Sequence, residues 1–151
     1  MLRETAAVFV VAFVAGCGAG ASPPTDREWV ANARGVVDQL RGDIVAVSGY
    51  DRVAAARAGL RDESQLYGLL VAYTDFGGCR HMVAAVDVEP PRLAAVVRSL
   101  HRACLHLVHA DLLFTRSVAR RAPRLLATAT QQALAAEPSL DAAALELAGA
   151  R

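Results

Sequence analysis

The 151-residue sequence lacks lysine: all 16 of its cationic side chains are arginines, and 15 acidic side chains leave a net charge of +1. A nearly neutral chain has no global electrostatic attraction for the phosphates of nucleic acid, so no nucleic-acid partner is expected. Arginine without lysine, beside abundant alanine, indicates a GC-rich genome rather than a function. The chain also lacks the strict alternation of apolar and polar residues that is typical of strands. Its apolar residues recur at spacings of three and four, which predicts helices.

The motifs of common reaction centres are missing as well. The string Asp75-Phe76-Gly77 matches one element of a protein kinase, but no glycine-rich loop, strand lysine or H-R-D element accompanies it. No serine lies in a G-x-S-x-G turn, and the sequence contains no C-x-x-C-H haem attachment motif. These absences favour a protein that is not an enzyme and that carries no cofactor.

The apolar run of residues 6–15 is too short for a transmembrane helix, which takes about 20 apolar residues. It follows the amino terminus and Arg3, and a cationic start before a short apolar stretch is typical of a secretory signal peptide. Small residues suitable for cleavage follow at two places. A cut after Ala19-Gly20-Ala21 would release an ordinary secreted protein that begins at Ser22.

The other place is Val14-Ala15-Gly16-Cys17, which resembles the lipobox of bacterial lipoproteins: an aliphatic residue, a small residue, glycine or alanine, and then cysteine. The resemblance covers the first twenty or so residues, and all four positions match behind a suitable apolar run. It implies that the thiol of Cys17 is acylated, with palmitate for example, and that residues 1–16 are removed as a signal peptide. The mature protein would then be held by lipid on the extracytoplasmic side of the cell membrane.

Residues 17–25 contain glycine, serine, Pro23 and Pro24 without apolar periodicity, which predicts a flexible tether. Nine residues span at most about 30 Å. Residues 26–149 are enough for one domain. That domain would therefore work close to the lipid surface.

The apolar spacing of residues 26–149 predicts an all-α, antiparallel bundle of about four main helices. Ser139 is expected to cap a further, short helix. Gly77-Gly78 interrupts the second main helix at a cost of about 1 kcal/mol per glycine, which indicates close packing or a kink. The main helices are expected over residues 26–47, 62–86, 91–121 and 124–136, with short helical segments over 51–60 and 140–148.

Cys79 and Cys104 both fall on the apolar faces of consecutive antiparallel helices. In an oxidising compartment such a pair predicts a disulfide, and two buried free thiols are the alternative. One point opposes the bond: symmetry about the turn at residues 88–89 would place Cys104 about 9 Å beyond the position opposite Cys79. A tilt, an uneven loop or a kink at Gly77-Gly78 must absorb that offset.

The third helix concentrates histidine and cysteine, the residues that bind zinc. At about 100° per residue His106 and His109 lie about 60° apart, whereas Cys104 lies about 140–160° from both. One helix therefore cannot direct all of them at one ion, and no metal centre is expected. A two-histidine surface site and solvated histidines remain as interpretations.

Asp111 occupies a position on the apolar face of the third helix, between Leu107 and Phe114. A buried carboxylate needs a hydrogen bond or a charge partner, and Arg80 or Tyr73 is the expected one. A functional pocket or an exposed bundle end would also explain this residue.

Residues 91–121 hold six arginines against a single acidic residue. Anionic lipid attracts such side chains at about 1 kcal/mol each, so contact with lipid headgroups or with an acidic envelope protein is predicted. A solvated face paired with acids such as Asp38 and Asp43 is the alternative. Four of the six form a stripe within about 40° and over about 33 Å of the helix: Arg98, Arg102, Arg116 and Arg120.

These features predict a lipid-anchored, extracytoplasmic helical bundle that acts, without catalysis, as a scaffold or binding module of the cell envelope. The alternative is an envelope sensor or carrier that holds a metal ion or a small ligand between helices. Its candidate ligand-binding residues are His106, His109 and Asp111.

Overall fold

The computed structural model describes residues 25–86 and 91–150, and the regular structure within these ranges is helical throughout. The all-α prediction is confirmed. The predicted signal peptide, and the predicted tether up to residue 24, lie outside the described residues. The helices, with two 3-10 turns, are α1 (Asp26–Val47), a 3-10 turn (Ser48–Tyr50), α2 (Val53–Gly59), α3 (Glu63–Ala84), a 3-10 turn (Pro91–Leu93), α4 (Ala94–Arg120), α5 (Pro123–Leu134) and α6 (Glu137–Gly149).

Two helices begin where the sequence supplies a cap. The Thr25 hydroxyl accepts from the Glu28 N–H at 3.3 Å, and the Glu28 carboxylate accepts from the Thr25 N–H at 2.8 Å. This reciprocal capping box satisfies N–H groups that the first turn of α1 leaves open. Asp62 caps α3 by accepting from the Gln65 N–H at 2.9 Å. The predicted starts of both helices are therefore confirmed.

The last helix is longer than predicted, and its cap is not Ser139. It begins at Glu137, and its N-cap residue, Ala136, makes no side-chain hydrogen bond. Pro138 fits into the first turn because an N–H has no intrahelical partner there. The bundle therefore has five helices of 12 or more residues, rather than four main helices, besides the seven-residue α2.

Helix α4 is the centre of the bundle and packs against α3, α5 and α6. One flank buries large side chains, among them Leu100, Leu107 and Phe114. The other flank buries small ones, and small side chains let neighbouring helices approach closely. The small buried residues of α4 are Ser99, Ala103, Ala110 and Ser117.

The apolar spacing of α4 continues through Val118 and predicts that this residue is buried. That prediction is wrong, because Val118 is 38% exposed. It lies where the ends of α2, α3 and α5 surround an open cleft, so no helix covers it fully.

Tyr73 joins three helices in the core. Its ring stacks on Phe114 with 4.3 Å between the ring centroids and meets the edge of Phe76 at 5.2 Å. Its hydroxyl shares a hydrogen bond of 3.1 Å with the Thr130 hydroxyl of α5. Burial raises the pKa of Tyr73 to about 12, so the hydroxyl stays protonated.

A disulfide between Cys79 and Cys104 joins α3 to α4, with 5.5 Å between the two Cα atoms. This pairing sets Ala84, the last residue of α3, opposite Ser99. The first five residues of α4 therefore extend about 7.5 Å beyond α3. The unequal lengths of the two helices at this end account for the predicted offset between Cys79 and Cys104. No kink is needed, since α3 continues as a helix through Gly77-Gly78.

Candidate functional site

The arginine stripe lies on the outward face of α4. All four arginines are exposed, and Arg102 donates a hydrogen bond of 3.1 Å to the Ser99 hydroxyl. Within the described ranges the side chains of the other three, Arg98, Arg116 and Arg120, make no hydrogen bond or ion pair. Pairing of the stripe with Asp38 or Asp43 is therefore not observed. Four positive charges remain on one open face.

Two leucines share this face, and the apolar spacing of α4 does not predict them as part of it. Leu105 is 62% exposed and Leu112 is 51% exposed. At about 100° per residue both lie within about 40° of Arg98 and Arg116 on the helical wheel. Their seven-residue separation, on the side of α4 opposite the core, is the sequence pattern that could have identified them. The outward face of α4 therefore combines exposed apolar and cationic side chains.

The adjacent helix α3 adds to the exposed apolar surface. Tyr67, Leu70 and Val71 are 70%, 52% and 46% exposed. Six of the nine large apolar side chains that the described residues expose belong to α3 and α4.

The candidate ligand residues are not assembled into one site. His106 is half-buried, with its Nδ1 atom 3.5 Å from Oε1 of Gln132 on α5. His109 is exposed, and Asp111 is directed to the opposite flank, toward α3. In residues 25–86 and 91–150 no three side chains of the metal-binding types are grouped closely enough to hold an ion.

Asp111 has neither of its expected partners. The Tyr73 hydroxyl bonds to Thr130, and Arg80 is exposed. Instead the carboxyl packs over Gly77, where an added Cβ atom would lie 2.7 Å from Oδ2 of Asp111. Gly77 is therefore present for close packing, and burial raises the pKa of Asp111.

A second unfavourable carboxyl environment lies between α1 and α3. Asp43 faces Asp75, which accepts a hydrogen bond of 3.1 Å from the Gln39 amide. Burial, followed by the charge and hydrogen bonding of Asp75, raises the pKa of Asp43 to about 6. The sequence contains no local signal for this pair because 32 residues separate its members.

No family model, curated protein or solved structure matches this chain. Among the described helices, none has both the length and the apolar character needed to cross a membrane.

The two adjacent glycines of α3 provide a matched test of the Asp111 contact. A Cβ atom at Gly78 meets open space, so Gly78→Ala should stabilise the protein by up to about 1 kcal/mol through helix propensity. Gly77→Ala should show no such gain in urea unfolding, because its methyl group meets Asp111. In an Asp111→Ala background, Gly77→Ala should recover the gain. Additive effects of the two substitutions would contradict this contact.

The Asp43 environment predicts a pH dependence. Because its pKa is raised in the folded state, the associated stability is present below about pH 4 and is lost as pH rises through about 6. Asp43→Asn should therefore leave stability nearly unchanged at about pH 4. At about pH 7.5 it should raise the free energy of unfolding by about 1 kcal/mol, after allowance for solvent screening. Exposed Asp38→Asn on the same helix controls for net charge, and an equal gain there would refute the explanation.

Proposed function

We propose that the protein is a lipid-anchored helical bundle on the extracytoplasmic side of the cell membrane, where it acts as a scaffold or binding module without catalysis. The observation that carries the proposal is the lipobox Val14-Ala15-Gly16-Cys17, which ends eight residues before the Thr25 cap of α1. Acylation of Cys17 would hold the folded domain within about 30 Å of the lipid.

The Cys79–Cys104 bond supports an extracytoplasmic location. Disulfides persist in oxidising compartments and are rare in the cytosol of mesophiles, where thiols are kept reduced. The bond lies between two helices of the core, so it stabilises the fold rather than serving as an exposed redox centre.

The face of α4 is the surface that we assign to binding, with anionic lipid as its partner. Its arginines supply attraction to headgroups, and Leu105 and Leu112 supply apolar surface for the interface. Val30 of α1 and Leu93 before α4 line one cavity, so α1 and α4 begin at the same end of the bundle. The arginine stripe thus begins near the tethered end.

The sensor or carrier alternative draws no support from the histidines. His106 contacts α5, His109 is exposed, and Asp111 lies on the α3 flank. A ligand function would need a different site.

Substitutions of the three cysteines should separate membrane anchoring from the stability of the fold. The intact mass of the mature protein should correspond to a chain that begins at acylated Cys17, and Cys17→Ser should release the protein from membranes. Cys79→Ser should instead lower the free energy of unfolding by about 3.5 kcal/mol, the loop-closure value for 25 residues, without release. Cys104→Ser is the matched control and should equal Cys79→Ser. An unmodified chain that begins at Ser22 would contradict the anchor.

Tryptophan fluorescence can test the lipid contact of α4. Leu112→Trp in the anchored protein should shift its emission to shorter wavelengths when phosphatidylglycerol is added to phosphatidylcholine vesicles. Leu145→Trp is the matched control, because Leu145 is exposed on α6. Replacing the four stripe arginines with glutamine should abolish the shift. A shift that survives this replacement would rule out attraction of the stripe to headgroups, and a shift seen only with an envelope protein would favour an acidic protein partner.

A further inference from the structure

A cleft of about 930 Å³ opens at the end of the bundle farthest from the tether. The end of α2, the first turns of α3 and the junction of α4 with α5 surround it. Small-molecule sites have volumes of about 300–1,000 Å³, so the cleft is large enough for a ligand.

The walls of the cleft carry excess positive charge. Arg57, Arg61 and Arg121 line it, and Glu63 is the single carboxylate among the lining residues. All four side chains are exposed, and within the described ranges none of their charged groups makes a hydrogen bond or an ion pair. Three guanidinium groups are therefore free to bind an anion.

The remaining lining residues are apolar. Leu60, Leu66 and Pro123 are half-buried, and Val118 is the residue whose exposure the sequence did not predict. Apolar surface next to a few charged groups is the usual composition of a small-molecule site. A simple inorganic anion would leave this apolar surface in contact with water.

The backbone at Arg121 ends α4 beside the cleft. With φ at 48°, it is the one residue other than glycine with positive φ in the described ranges, and it ends α4 in the left-handed conformation. Glycine occupies such helix ends without strain, whereas a larger residue is strained there. The chain turns there, and the Arg121 side chain lines the cleft.

We propose that this cleft binds an amphipathic anion, with a phosphate or carboxylate head on the three arginines and an acyl or aryl body on the apolar surface. Guanidinium groups match the paired oxygens of such heads. Helix α5, which begins at the cleft without a side-chain cap, adds the positive potential of its N-terminus. This proposal specifies the ligand of the binding module and so rests on the function proposed above. No residue of the cleft takes part in anchoring.

Calorimetric titration of the purified mature protein with monomeric decyl phosphate tests the proposal. The protein is held in phosphatidylcholine nanodiscs if Cys17 is acylated and in buffer if it is not, so failure of the anchor leaves this measurement intact. We expect saturable binding of one decyl phosphate per chain. Inorganic phosphate and uncharged decyl maltoside should bind far more weakly, and equal binding of either would overturn the proposal.

The arginines provide matched variants. Arg57→Gln, Arg61→Gln and Arg121→Gln should each weaken decyl phosphate binding about tenfold or more, as expected for a lost charged hydrogen bond. Arg121→Gly should also weaken binding while raising the melting temperature, because glycine relieves the strained backbone. Arg80→Gln removes an exposed arginine at the end of α3 remote from the cleft, outside both proposed binding surfaces, and should leave affinity unchanged. Equal weakening by Arg80→Gln would overturn the proposal.

Vesicles distinguish the source of the anionic head. If phosphatidic acid in phosphatidylcholine vesicles competes with decyl phosphate, and the competition depends on Arg121, the source is a membrane lipid. If decyl phosphate binds without such competition, the source is a free amphiphile; both results support the site. Unchanged binding in all three cleft variants would exclude it.

Discussion

The structure depends on the packing of one helix, α4, against three others at once. Large side chains such as Phe114, which stacks on Tyr73, fill the space toward α3, and small ones such as Ala110 let the neighbouring helices approach closely. A helix that is covered on so many sides has only a narrow outward face. The arginine stripe, Leu105 and Leu112 share that face, so one helix both organises the core and presents the proposed contact surface.

Polar groups between the helices reduce the stability that this packing provides. Asp111 occupies the space above Gly77, and Asp43 faces Asp75. Burial of a charged carboxyl without a cationic partner is unfavourable. The disulfide and the stacking of Tyr73 on Phe114 join α3 to α4, the two helices of the Asp111 contact, and compensate for that carboxyl. The α3–α4 contact therefore combines the strongest constraint of the fold with one of its least favourable groups.

The two proposed binding surfaces have different chemistry and positions. The α4 face is long, open and suited to a membrane surface that lies within reach of the tether. The cleft is enclosed on several sides, lies at the far end of the bundle and is suited to one amphipathic anion. A domain with both surfaces can remain at the membrane through one and hold a ligand with the other. The proposed anchoring needs neither surface, since it would depend on Cys17 alone.

Local patterns in the sequence predicted the helices and the arginine stripe, because helical spacing depends on residues a few positions apart, and two cysteines on the apolar faces of consecutive helices predicted the Cys79–Cys104 pair. Only the tertiary structure decided how α4 overhangs α3, that Gly77 makes room for Asp111, and that Arg57 and Arg61 meet Arg121 at one cleft. These features join residues that lie far apart in the chain, and helical periodicity does not specify which helices become neighbours. The same reason explains the exposure of Val118: its apolar character predicts burial, but the divergence of three other helices leaves it uncovered.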